Sequence, residues 1–283
     1  MSSSANMLVE DLGSLPPIPH IADQVLKLTS DPDCSVSELQ NVICTDQSLA
    51  AQILKIANSA MFGSMKEVRT LPQAIATLGL TYVKSAVIAS IAKDLYMKSS
   101  MGFYKVIIWE HSLVSALAGG AFAKILLFPS HDEVFLGGLL HDIGKSVLDL
   151  KYPVQYEKII RSYYAGEISE CSQAELDAFG CDHSMVAEAL LHSWNLPNEL
   201  IQCVRWHHSP ANAEPECVAL AAYVSLGNIF ALEMGKGIQR PHSFDAAKKT
   251  ALTLAGISEE TLALQAEAVF ECIEKDIALI TGF

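Results

Sequence analysis

His111, His141, Asp142, His183, His207 and His208 are the residues of this sequence whose types and spacing could do chemistry. His111 shares a helical stripe with Ile107, Val114, Ala118, Ala121 and Ile125, and His183 shares one with Val186, Ala187, Leu190 and Trp194. His207 and His208 trail Val204 by three and four residues, and each trails Leu200 or Ile201 by seven. These four imidazoles therefore project from apolar, inward-facing surfaces. A buried neutral imidazole needs a hydrogen-bond partner, and burying several together is costly unless something binds them jointly. His141-Asp142 lies within Gly137-Gly138-Leu139-Leu140-His141-Asp142-Ile143-Gly144-Lys145. An adjacent His and Asp can reach one metal ion, or the Asp can bridge two. The paired glycines one turn earlier leave that face bare, so another group can come close. Carboxylate charge mixed with imidazole nitrogen suits zinc, iron, manganese or nickel.

Any one of these histidines alone reads as a satisfied core residue. Together they point to a shared metal site, retained or relict, with ordinary packing as the competing reading. His192, half a helical revolution from the His183 stripe, reads as structural. His20, His131 and His242 fall in loops or at helix ends and read as solvated.

The elements that must position these groups are helices. From Leu15 onward apolar residues recur at three and four, not at two. Ser35 and Glu38 have the spacing of a capping box, and the stripe Leu49, Ile53, Ile56, Ala57, Ala60 and Met61 stops at Gly63. Pro72 starts another helix and Gly79 ends it; Val83, Val87, Ile91 and Leu95 then line the inner face of the next. The same periodicity runs through 105–127, 133–150, 153–165, 172–194, 197–208, 215–234 and 258–281. The expected fold class is all-α: an N-terminal helical bundle over 15–98, behind a tail at 1–14, packed on a helical half over 99–236 that holds the histidines. Residues 237–283 read as a C-terminal helical extension. Ser99, Ser100 and Gly102 mark the best internal seam.

Composition narrows the function. The chain has 283 residues, 51% of them hydrophobic and 18% charged, so it can bury a sizeable core. Lys and Arg number 19 against 32 Asp and Glu, a net charge of −13 that disfavours binding to a nucleic-acid backbone. The charge-free stretch from Cys217 to Leu232 falls short of the roughly 20 residues a membrane helix needs. Seven cysteines without a CxxC pair indicate neither a thiolate zinc knuckle nor a disulfide framework. The expectation is a reduced, cytoplasmic protein with no nucleic-acid or membrane partner.

The sequence also resembles a known family, the HDOD (HD-related output) domain of bacterial signalling proteins. The matching segments are Leu15-Pro16-Pro17-Ile18-Pro19, Asp31-Pro32-Asp33, Ser37-Glu38-Leu39, Leu54 to Gly63, Ala74-Ile75, Leu78-Gly79, Trp109, His111, Gly138 to Lys145, Gly180, Asp182-His183, Trp194 to Pro197 and His207-His208. The resemblance covers about residues 13–235 and implies an HD-superfamily phosphohydrolase scaffold with an added N-terminal bundle, adapted for signalling. By resemblance to active HD hydrolases, His111 matches the first metal histidine and His141-Asp142 the pair that names the superfamily. Where two metals are held, His183, His207 and His208 resemble the ligands of the second, with Asp142 bridging as a catalytic residue. Lys145 matches a second catalytic group, a lysine that contacts substrate phosphate. Asn228 stands where the final metal Asp is expected, and an amide is a neutral, weaker ligand. Ser209-Pro210-Ala211-Asn212-Ala213 lacks the Gly-Tyr-Pro loop of the cyclic-dinucleotide phosphodiesterases.

The implied cofactor is one or two divalent or transition metal ions: Fe, Mn, Zn, Ni or Mg. The expected function is a regulatory protein acting through a signalling protein partner. The alternative is a metal-dependent phosphohydrolase acting on a phosphate-containing ligand, a monoester, diester or nucleotide.

Overall fold

A computed structural model describes residues 15–29, 31, 33–58, 67–237 and 244–280. Every regular element among them is helical, as the three-and-four periodicity requires. The chain divides into two compact units. One comprises residues 18–93 with the segment from 267 onward; the other comprises residues 94–266 with the segment up to Pro17.

The first unit begins with α1 (His20–Thr29), α2 (Val36–Ile43) and α3 (Gln47–Ala57). The capping box forms: the Glu38 amide donates to Ser35 Oγ at 3.2 Å, and the Ser35 amide donates to Glu38 Oε2 at 2.9 Å. Asp46 caps α3 by accepting from the amides of Ser48 and Leu49. At the other end of α3, Asn58 donates to the Leu54 and Val68 carbonyls and accepts from the Val68 amide, each at 2.8 Å. This side chain therefore does a backbone's work across ten residues. Ser59 to Gly63, the end of the expected stripe, lie outside the described residues. The long helix α4 (Leu71–Lys98) breaks at Gly79, whose φ of 74° is left-handed, as the sequence predicts. Leu39, Ile43, Ile53, Ile75, Val83 and Ile88 are fully buried in this unit, as are Val269 and Ile273.

The second unit is built on α5 (Tyr104–Ile125), α6 (His131–Leu140), α7 (Ile143–Lys151), α8 (Pro153–Ala165), α9 (Cys171–Phe179), α10 (His183–Ser193), α11 (Asn198–Arg205), α12 (Val218–Glu233) and α13 (Asp245–Ala255). The chain closes with α14 (Glu259–Ile280). By length and composition α5 could cross a membrane, but most of it is buried, the pattern of a core helix. Asp149 holds the Ser99 hydroxyl at 2.8 Å and the Ser100 amide at 2.6 Å, tying the 99–102 connection to α7. Trp194 donates its indole N–H to the Pro16 carbonyl at 3.0 Å, joining two of the motif segments.

Three elements differ from the periodicity. The stretch 133–150 is two helices, interrupted at His141-Asp142, and 172–194 is two helices, interrupted around Gly180. Gly180 ends α9 with φ 73°, and Asp182 restarts the chain by accepting from the Met185 amide at 2.8 Å. The helix α13 lies inside the expected 237–283 helical extension but outside the stretches in which the periodicity is read. The paired glycines also serve another purpose than admitting a small group: a Cβ on Gly138 would lie 2.7 Å from Ala116 Cα, and one on Gly137 2.7 Å from Val224 Cγ2. Gly138 lets α6 approach the α5 backbone, and Gly137 leaves room for the Val224 and Cys203 side chains.

Candidate metal centre

The two interruptions deliver the site. His141 and Asp142 stand at the break between α6 and α7, and His183 opens α10 immediately after its cap. His207 and His208 follow the end of α11, while His111 and Asn228 project from the interiors of α5 and α12. Lys145 lies in the first turn of α7. All of these positions lie within one compact unit.

The ligand atoms form two groups, His111 with His141 and Asp142, and His183 with His207 and His208; within each group they lie inside 4.8 Å of one another. Asp142 faces both. Its Oδ2 lies 3.5 Å from His141 Nε2 and 3.9 Å from His111 Nε2, and its Oδ1 lies 3.4 Å from His183 Nε2. Lys145 Nζ donates to Oδ2 at 2.7 Å.

Hydrogen bonds on the far side of each ring fix where its proton sits. His111 Nδ1 lies 3.0 Å from the Lys236 carbonyl, His141 Nδ1 2.7 Å from the Gly138 carbonyl, and His207 Nδ1 2.7 Å from the Val204 carbonyl. A carbonyl oxygen only accepts, so each Nδ1 carries a hydrogen and each Nε2 presents a lone pair. His111 Nε2 and His141 Nε2 nevertheless face each other at 3.2 Å. Two lone pairs at that distance repel unless a cation lies against both. The buried His207 Nε2 and Asp142 Oδ1 have no hydrogen-bond partner. Such orphaned acceptors are expensive to bury, and a metal ion would satisfy them together. The residues present therefore fit a metal centre.

A proton is a poor substitute for the metal. Burial pushes the His141 imidazole down to about 3, and lowers His111 and His207 as well. Burial opposes the Asp142 carboxylate, but the Lys145 ammonium and the surrounding imidazoles hold it well below the usual carboxylate range. Burial likewise opposes the Lys145 charge, and Asp142 more than offsets it, leaving that group above its ordinary value.

A cleft opens on this centre, lined by Ile107, Ile108, His111, Asp142, Lys145, Tyr163, His208, Asn228, Leu232 and Gly237. Asn228 lines this cleft together with His111. One sequence expectation needs correction: His208 is exposed, unlike the buried His111, His141, His183 and His207. It follows α11 at the cleft, one residue beyond the last inward-facing position. Of the other histidines, His20 is exposed at the start of α1 and His192 is half-buried on α10. His131 is half-buried at the start of α6, its Nδ1 3.3 Å from the Phe128 carbonyl, and so is less solvated than expected. His242 lies outside the described residues.

The family model of the HDOD domain matches residues 15–210, more than half of the chain. The chain belongs to the HDOD domain family. Its fold matches that of an HDOD domain protein of unknown function from Geobacter sulfurreducens, with a TM-score of 0.80 and 21% identity over 97% of this chain and 96% of that one. It also matches a "Putative phosphohydrolase" from Shewanella amazonensis SB2B, with a TM-score of 0.78 and 24% identity over 99% of each chain. A signal transduction protein, so named with the same qualifier, from Marinobacter aquaeolei VT8 gives 0.70 at 22% identity over 97% of this chain and 60% of that one. A curated relative, an "Uncharacterized protein" of Treponema pallidum (strain Nichols), is 25% identical over 232 residues, which are 80% of this chain and 44% of the relative. The chain thus spans less than half the length of that relative.

Several groups that shape the HDOD centre were missed in the sequence. The Gly138 and Val204 carbonyls lie three residues before their histidines, where a helix end leaves carbonyls without amide partners. A histidine just past a helix terminus was the available signal. Lys236, whose carbonyl holds His111, lies beyond the matched 15–210; Asn228 lies there too, but the sequence had already singled it out. Glu175 gave no signal, because reading 172–194 as one helix hid the turn that brings it to His183.

Proposed function

We propose that this HDOD protein is a regulatory module that acts through a protein partner and is organised around an HD-type metal centre. The observation that carries the metal is the 3.2 Å approach of two imidazole Nε2 atoms whose other nitrogens both face carbonyl oxygens. His111, His141 and Asp142 would hold one ion, and His183, His207 and His208 a second, with Asp142 between them. Four buried imidazoles against one carboxylate favour zinc, iron, manganese or nickel over magnesium, which prefers oxygen. Asn228 supports regulation over turnover: it offers a neutral amide to the cleft where the resemblance leads one to expect a carboxylate.

The hydrolase reading has its own support, since Lys145, Asp142 and exposed His208 line a cleft. A bound metal would supply an acidified water and neutralise phosphoryl oxygens. In that reading Lys145 would hold the developing charge on a phosphate oxygen. A panel of phosphomonoesters, diesters and nucleotides, assayed with metal-loaded wild type and Asp142→Asn, separates the readings. The regulatory reading expects no steady turnover by either protein. Hydrolysis by wild type that Asp142→Asn abolishes would overturn it.

A further inference from the structure

Glu175 is a buried carboxylate, fully withdrawn from solvent, outside the set of expected ligands. Its Oε1 accepts from the Tyr156 hydroxyl at 2.8 Å and from the Cys171 thiol at 3.3 Å. Its Oε2 accepts from the His183 backbone amide at 2.8 Å and lies 2.6 Å from His183 Nδ1. Every donor around this carboxylate is thus supplied by α8, α9 or the first residue of α10. The same oxygen that ties down the start of α10 also orients the first imidazole on it.

The geometry points to Glu175 as the positioning residue of the second ligand group. An ionised carboxylate accepts only, so the ring proton of His183 belongs on Nδ1. The lone pair then falls on Nε2, 3.4 Å from Asp142 Oδ1 and 3.1 Å from His208 Nε2. The partner is a carboxylate and not a carbonyl, the arrangement that raises metal affinity in carboxylate–histidine pairs. Tyr156 and Cys171 keep Glu175 in place by occupying its other oxygen. This assignment rests on the metal-centre reading for its consequence, though not for the geometry itself.

Two measurements test it. The first is nitrogen-15 NMR of the histidine rings in metal-free, full-length wild type, which reports the tautomer without any metal. The expected spectrum has His183 protonated on Nδ1; protonation on Nε2 overturns the assignment, whether or not metal binds. The second is titration of wild type and Glu175→Gln with zinc, the exchange-labelled His183 signal reporting the second group and the His141 signal the first. The amide keeps the shape and removes the charge. Affinity at the second group should fall about 10- to 100-fold, with the first group changed by no more than about threefold. Equal loss at both groups, or no loss at either, would make Glu175 a structural residue only. If wild type takes up no zinc while His183 shows the expected tautomer, the metal reading fails and the positioning of the ring stands.

Discussion

Backbone carbonyls hold His111 and His141, whereas a carboxylate holds His183 and solvent reaches His208. The first ligand group is buried, although His111 and Asp142 line the cleft, and its two rings are keyed to main-chain atoms that no substitution removes. In the second, the Val204 carbonyl holds His207 in the same way, but His183 depends on one side chain, Glu175, and His208 is exposed beside the cleft. The two groups thus differ in what orients their rings and in how exposed their members are, and Asp142 faces both.

The strongest way to break that contrast is Asp142→Asn. One oxygen faces each group, so metal affinity should fall at least about 100-fold at both. Lys145 would also lose the partner of a mostly buried charge, costing about 3 kcal/mol. Metal titration and denaturant unfolding check both effects; loss at one group alone would show that the carboxylate is not shared.

Gly144→Ala probes the second group from beneath. A Cβ there would overlap the His183 carbonyl, so α7 and α10 would have to part. The expected cost is about 1–3 kcal/mol, with zinc affinity lowered at the His183 group and retained at the His111 group. Unaltered unfolding would contradict the close approach.

Proton linkage sharpens the first group. Folded His141 stays neutral down to about 3, whereas an imidazole in the unfolded chain titrates near 6.5. Between those values the unfolded state binds more protons, so the metal-free protein loses stability as pH falls below 6.5. Each such imidazole contributes about 1.4 kcal/mol per pH unit in that window. Denaturant midpoints across pH 4–7 check the slope, and a flat profile would mean that His141 is solvated. His208→Ala should have the smallest effect, a stability change within about 0.5 kcal/mol, with affinity reduced at the second group only. A large destabilisation would place His208 in the core and remove the contrast.

Much of this centre was legible in the sequence because inward stripes identify the side chains that share an interior. His111, His183 and the His207-His208 pair were found this way, as was the all-helical class. The helix breaks were not, because the apolar period continues on both sides of His141-Asp142 and of Gly180. That blindness also hid Glu175, whose approach to His183 depends on the turn between α9 and α10. The exposure of His208 escaped for a related reason: a periodic stripe assumes a helix, and α11 ends at Arg205, before that residue. Gly138 was recognised as a point of close approach, but the approaching group is the α5 backbone.

A metal ion between imidazoles that otherwise oppose lone pair to lone pair is the central proposal for this centre. The most direct test is elemental analysis of the purified full-length chain, paired with melting curves before and after chelation. The expected result is about one to two transition-metal ions per chain, and a melting temperature that falls when they are removed and recovers when zinc, manganese or iron is restored. A chain that holds no metal, and melts at the same temperature with chelator as with added metal, would contradict it.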